Sequence, residues 1–111
     1  MQKNKEREIR LRQELNRFLE ILRQDESAKQ VVLFGSLSSG AIHEWSDLDL
    51  LIVQETDEPF LRRVRLLRRK LQPQVAADLL VYTPQEIQQM KKGHPFLEQE
   101  ILKKGQILYE R

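Results

Sequence analysis

The chain has 111 residues, 40% hydrophobic and 32% charged, with a formal net charge of +2. Those values suit one globular domain, residues 1–111, with a modest core, and the charge is too small to point to nucleic acid as a partner. The absence of cysteine excludes disulfides and thiolate metal sites. No apolar run approaches the ~18 residues that span a bilayer, and residues 1–12 lack the apolar stretch of a secretory signal, so a cytoplasmic location without membrane attachment is expected.

From about Glu6 to Leu22, apolar residues fall at Leu11, Leu15, Phe18, Leu19 and Leu22, one stripe of an amphipathic helix. A polar connector, Asp25 to Lys29, leads into Val31-Val32-Leu33-Phe34, the length and type of a buried strand. Gly35-Ser36 follows at once. Glycine lets the backbone turn sharply and approach a ligand closely. A short helix is expected from Ser36 to about Ile42, and amides at a helix start attract phosphate. His43 to Ser46 reads as a loop. Its Trp45 could stack on a base, although a loop tryptophan more often covers the core edge. Ser46 reads as a turn residue bonding local backbone.

Leu48 to Val53 is the second predicted strand, entered through Asp47-Leu48-Asp49. Side chains alternate along an extended chain, so Asp47 and Asp49 share a face. Two carboxylates on one face repel unless a cation lies between them, and Mg2+ prefers carboxylate oxygens together with substrate phosphates. Gly35-Ser36 ends one strand and Asp47 begins the next. They reach one site only if the two strands run antiparallel.

After an acidic loop, Gln54 to Glu58, Pro59 suits a helix start. Leu61, Val64, Leu67 and Leu71 form an apolar stripe, with Arg62, Arg63, Arg65, Arg68, Arg69 and Lys70 on the remaining surface. That surface reads as a solvated face or as a basic patch for an acidic partner. Pro73 ends the helix, and Val75 to Tyr82 is a third strand. A helical crossover implies that it pairs parallel with the second. Its single charge, Asp78, is costly to bury unpaired and is expected to face a metal, a cation or solvent. Thr83-Pro84-Gln85-Glu86 is a capping box opening a helix to about Lys92, where Gly93 stops it. Pro95 to Lys103 reads as a further helix, with Phe96, Leu97, Ile101 and Leu102 as packing residues, and Gln106 to Tyr109 as a terminal strand or extended tail. The fold class is α+β: a small mixed sheet, its first pair antiparallel and its third strand parallel, with helices packed on it. His43 and His94 lack ligand spacing and receive no role.

Gly35-Ser36, ten residues, then Asp47-Leu48-Asp49 resembles the signature of the DNA polymerase β-like nucleotidyltransferase superfamily. The chain is similar to its shortest branch, the minimal nucleotidyltransferases (MNT family). Asp78 in Ala77-Asp78-Leu79-Leu80-Val81 matches the family's third acidic residue, and Ile101 to Glu110 also looks like this branch. Many relatives carry a basic residue three positions after the motif serine, where this chain has Ser39.

The resemblance implies a Mg2+-dependent enzyme, Mn2+ being the alternative ion. Asp47, Asp49 and Asp78 would be both metal ligands and catalytic residues. Gly35 and Ser36 would hold the β and γ phosphates of a nucleoside triphosphate, ATP above others, and attack at the α phosphorus would release pyrophosphate. Relatives of this length are often paired with HEPN-domain proteins as toxin and antitoxin, and some transfer AMP to a tyrosine of the toxin. The implied acceptor is therefore a hydroxyl of a HEPN-domain partner, with a dimer mate (a homo-oligomer) or a small substrate as other sources of an acceptor site. The competing reading is a non-catalytic antitoxin that neutralises its partner by forming a complex.

Overall fold

The computed structural model describes residues 2–93, 95, 99, 101 and 103–111. Along the chain these form α1 (Gln2–Arg23), β1 (Ala28–Phe34), α2 (Ser36–Ser39), β2 (Leu48–Gln54), α3 (Phe60–Leu71), β3 (Ala77–Tyr82), α4 (Pro84–Met90) and β4 (Gln106–Glu110). Phe96, Leu97 and Leu102 of the expected helix at 95–103, and His94, lie outside the described residues. Ile101 is described and is fully buried.

The strands make one sheet in the order β3-β2-β1-β4. β1 runs antiparallel to both β2 and β4, and β2 runs parallel to β3, the mixed pattern expected from the α3 crossover. The C-terminal segment, left open between strand and tail, is thus a strand pairing with β1.

Alternation divides the sheet into two apolar faces. Val31, Leu33, Leu48, Leu50, Ile52, Leu79 and Val81 pack on the first face, where α1 contributes its predicted stripe of Leu11, Leu15, Phe18, Leu19 and Leu22. Val32, Phe34, Leu51 and Val53 point the other way, to Ile87 of α4 and Ile101. Asp49 and Asp78 share the parity of this second face.

Two details of α3 differ from the sequence expectation. Leu61 is 74% exposed, whereas Arg63 is buried along with Leu67 and Leu71. These three lie at i, i+4 and i+8, so relative to the expected stripe of Leu61, Val64, Leu67 and Leu71 the inward face is rotated: Leu61 leaves it and Arg63 enters, while Val64 stays partly buried. Arg63 tolerates burial because Glu86 neutralises it and the carbonyl of Glu58 accepts from its Nε. The rest of the basic face is largely engaged within the chain: Arg62 pairs with Glu58, Lys70 with Asp25, and Arg68 donates to the carbonyl of Ala77. This supports a self-bracing surface over a patch held open for an acidic partner.

The start of β3 is fixed by α1. Glu14, buried at the helix face, accepts from the Gln74 amide and from Arg17, which holds its carboxyl below the usual range. Arg10 donates to the Gln74 carbonyl at 3.1 Å and Arg17 to that of Gln72 at 3.0 Å. The link between α3 and β3 is therefore clamped before the strand begins at Ala77, two residues later than expected.

Candidate active site

Three segments meet at one end of the sheet. The first is the turn leaving β1. Gly35 has φ +76° and ψ −157°, a conformation that L side chains rarely adopt. A Cβ on Gly35 would fall on the carboxyl of Asp49. Glycine is therefore required twice, by the backbone angle and by the close approach of β2.

α2 follows, but it stops at Ser39 rather than near Ile42. Gly40 is left-handed at φ +84° and returns its amide to the Ser36 carbonyl at 2.9 Å. Leu37 is buried and anchors the turn. Four residues are too few for an appreciable helix dipole, so any attraction for phosphate here rests on the unsatisfied first amides themselves. At Ser39, where relatives carry a basic residue, the hydroxyl closes the turn instead, donating to the Ser36 carbonyl and accepting from the Ala41 amide, each at 3.3 Å.

The second segment is the loop into β2. The amide of His43 donates to the Ser46 hydroxyl at 2.9 Å, and the amide of Ser46 to the His43 carbonyl at 3.0 Å. Ser46 is buried, and Arg7 of α1 donates to its carbonyl at 2.9 Å. This anchor, 39 positions away, has no signal in the local sequence. Ser46 is thus the turn residue that was expected, with a tertiary clamp added.

Asp47 lies just before β2 and is exposed; Asp49 is inside the strand and half-buried. The third segment is β3, where Asp78 is exposed and stands directly opposite Asp49 in the parallel register. Antiparallel pairing puts Phe34 opposite Asp49 on its other side, bringing Gly35 alongside. The Gly35-Ser36 turn and the two carboxylate segments thus adjoin across three neighbouring strands.

The electrostatics are one-sided. Burial, then the charge of Asp78, then that of Asp47 push the Asp49 carboxyl up to about 6. Among the described residues, no ion pair engages Asp47, Asp49 or Asp78. Nor do any three histidine, aspartate or glutamate side chains there stand close enough to form a metal cage alone. Mg2+ usually takes one or two carboxylates and completes its shell with water and substrate phosphate. Facing carboxylates with uncompensated negative charge fit that use better than a closed protein site.

The Polymerase beta, Nucleotidyltransferase family matches residues 16–111. No curated protein matches the chain. Among solved structures, a candidate nucleotidyltransferase from Sulfolobus solfataricus aligns with a TM-score of 0.70 and 19% identity, over 98% of this chain and 88% of that one. A toxin–antitoxin structure with AMP-PNP aligns with a TM-score of 0.56 and 22% identity, over 86% of this chain and 73% of that one. At these identities the two likenesses establish the shared fold. Among the described residues, no helix is long and apolar enough to cross a membrane.

Proposed function

Because the chain belongs to the Polymerase beta nucleotidyltransferase family, we propose that it is a Mg2+-dependent nucleotidyltransferase carrying AMP from ATP to a hydroxyl of a partner protein in the cytoplasm. The observation that carries this reading is the facing pair Asp49 and Asp78, with Gly35 packed against the Asp49 carboxyl.

In this reading Asp47, Asp49 and Asp78 hold Mg2+, which when bound supplies positive charge to the triphosphate and to the attacking oxygen. Gly35 and Ser36 receive the β and γ phosphates through backbone amides and the serine hydroxyl. Asp78, on the outer strand of the three, faces the acceptor and takes or relays its proton. The acceptor oxygen bonds to the α phosphorus as the bond to the bridging oxygen breaks and pyrophosphate leaves. The chain's contribution is positioning and a preorganised field more than covalent chemistry.

The partner proposed is a HEPN-domain toxin, with this chain as an MNT-type antitoxin. The toxin–antitoxin neighbour with AMP-PNP supports both a nucleotide and a protein partner. Incubation with labelled ATP, Mg2+ and the partner should transfer label, and Asp47→Asn or Asp49→Asn should abolish transfer in a folded protein. Absence of transfer together with absence of Mg2+-dependent ATP binding would sink the proposal.

One observation favours a second reading, the non-catalytic antitoxin: the Ser39 hydroxyl is spent on closing its own turn, and no cation stands at that position. The double variant Asp47→Asn, Asp49→Asn separates the two. Full neutralisation of the partner by that variant would make complex formation sufficient.

A further inference from the structure

Trp45 is the only tryptophan of the chain, and it is 78% exposed. It does not cover the core edge, the usual employment of a loop tryptophan, and it is absent from both apolar clusters. Among the described residues it is the most exposed of the large apolar side chains, so its aromatic face is open for stacking. The segment that carries it is not a loose tip. The turn from His43 to Ser46 is closed by two hydrogen bonds, of 2.9 and 3.0 Å. The Trp45 amide itself donates to Nδ1 of His43 at 3.2 Å. Arg7 ties the turn to α1 through the Ser46 carbonyl, and Lys3 lies 3.7 Å from Glu44. The backbone beneath the indole is thus ordered before any ligand arrives.

Position supplies the rest. Trp45 precedes Asp47 by two residues, so their Cα atoms are at most ~7 Å apart. An indole extends several ångströms further, which covers the distance from an α phosphate at the carboxylates to the base of the same nucleotide. The Gly35 turn, assigned above to the β and γ phosphates, packs against the Asp49 carboxyl.

We propose that Trp45 is a substrate-positioning residue whose indole stacks on the nucleobase. The inference rests on the nucleotidyltransferase reading and extends it to how the nucleoside end is held. Every base offers a π face, so stacking raises affinity while discriminating weakly among bases. It would partly offset the missing cation at Ser39 by holding the nucleoside instead of the phosphates.

The single tryptophan makes the test direct. The full chain is titrated with ATP and, separately, with inorganic tripolyphosphate, both with Mg2+, following indole emission excited outside the adenine band and binding by calorimetry. ATP is expected to quench the emission saturably, at the Kd that calorimetry gives, while tripolyphosphate binds without quenching. Trp45→Ala should weaken ATP by about 5–30-fold and leave tripolyphosphate unchanged; Trp45→Phe should retain most of the ATP affinity. Circular dichroism should show both variants folded, since the side chain buries little. ATP binding that leaves emission unchanged, or an unaltered ATP Kd in Trp45→Ala, overturns the stacking and spares the phosphate site. Emission that responds to the partner protein and not to ATP also overturns it, making the indole a docking residue. Failure of ATP and tripolyphosphate alike to bind overturns both this inference and the catalytic reading beneath it.

Discussion

Arg63 and Glu86 form a two-pronged ion pair, Nη1 to Oε1 at 2.6 Å and Nη2 to Oε2 at 3.1 Å, joining α3 to the first turn of α4. The arginine side chain is 9% exposed and the glutamate 37%. The same glutamate accepts from the Thr83 amide while Thr83 accepts from the Glu86 amide, so one carboxylate serves a capping box and a buried cation together. Arg63 reaches the Val81 carbonyl as well, on β3. The crossover helix, the strand carrying Asp78 and the helix behind it are thus fastened at one point.

Arg63→Ala should therefore cost about 3 kcal/mol, because it leaves acceptors unpaired and opens a gap. Glu86→Gln keeps a polar cap, and the carboxylate it replaces is itself partly solvated, so about 1–2 kcal/mol is expected. Arg63 beside it holds the Glu86 carboxyl below its ordinary value of 4.5. A carboxylate with a depressed folded value stabilises the fold above its unfolded value, and the benefit is lost as pH falls through the folded one. Urea denaturation at neutral pH and near pH 3 should show the wild-type advantage over Glu86→Gln shrinking in acid. A constant gap would mean that the charge contributes nothing.

Asp49 should behave with the opposite sign. Its carboxyl is pushed up to about 6 from 3.8, by burial and by Asp78 and Asp47. A raised value means that the proton binds the folded state more tightly. The stability linked to it is complete below the unfolded value and disappears as pH rises through about 6. Without divalent cations, Asp49→Asn should thus be more stable than wild type near pH 7.5, by on the order of 2 kcal/mol, and level with it near pH 3.5. Added Mg2+ should raise the melting temperature of wild type and not of the variant. Equal melting temperatures at both pH values without Mg2+ would show that Asp49 carries no strain.

Gly35 and Gly40 offer a matched pair. Both have positive φ, +76° and +84°, but a Cβ at Gly40 meets open space whereas one at Gly35 meets Asp49. Gly40→Ala should cost about 1 kcal/mol, the backbone penalty alone. Gly35→Ala should cost at least about 2 kcal/mol, and it should also displace the Asp49 carboxyl and weaken Mg2+-dependent ATP binding. Calorimetry on the two variants decides the point: equal ATP affinity in both would mean that the Gly35 contact has no bearing on the site.

Much of this arrangement was legible in the sequence, because strand periodicity and the parallel pairing that a helical crossover implies are local rules with long-range consequences. Parallel pairing through a helix put Asp78 opposite Asp49, and Asp47, just before the strand, acts on Asp49 through its charge. The capping box at Thr83 and Glu86 and the stripe of α1 were also readable. Other features depend on partners distant in sequence. Arginine is by default a surface residue, and its burial at position 63 becomes intelligible only with Glu86, 23 positions away. The rotation of α3 that exposes Leu61 follows from that pair. The clamp of Arg7 on Ser46 and that of Glu14 on Gln74 join segments that no sequence window contains. The early end of α2 had a local signal in Gly40, the left-handed residue that stops the helix.

Ser39 closes its turn through two hydrogen bonds at the long end of the range, both exposed. Their loss costs little, by about 0.5 kcal/mol, so position 39 can be used to ask what a cation would do there. Ser39→Lys places an ammonium at the end of α2, one turn beyond Ser36. If Gly35 and Ser36 receive the β and γ phosphates, the added charge reaches the same group. ATP affinity should then rise by about 3–10-fold at low ionic strength, and the gain should fall as salt is added, because exposed charges are screened. Ser39→Gln, of similar length and uncharged, should show no gain. Calorimetric titration of the three proteins with ATP and Mg2+ at two salt concentrations measures this directly. An unchanged affinity in Ser39→Lys would place the phosphates elsewhere than at the Gly35-Ser36 turn.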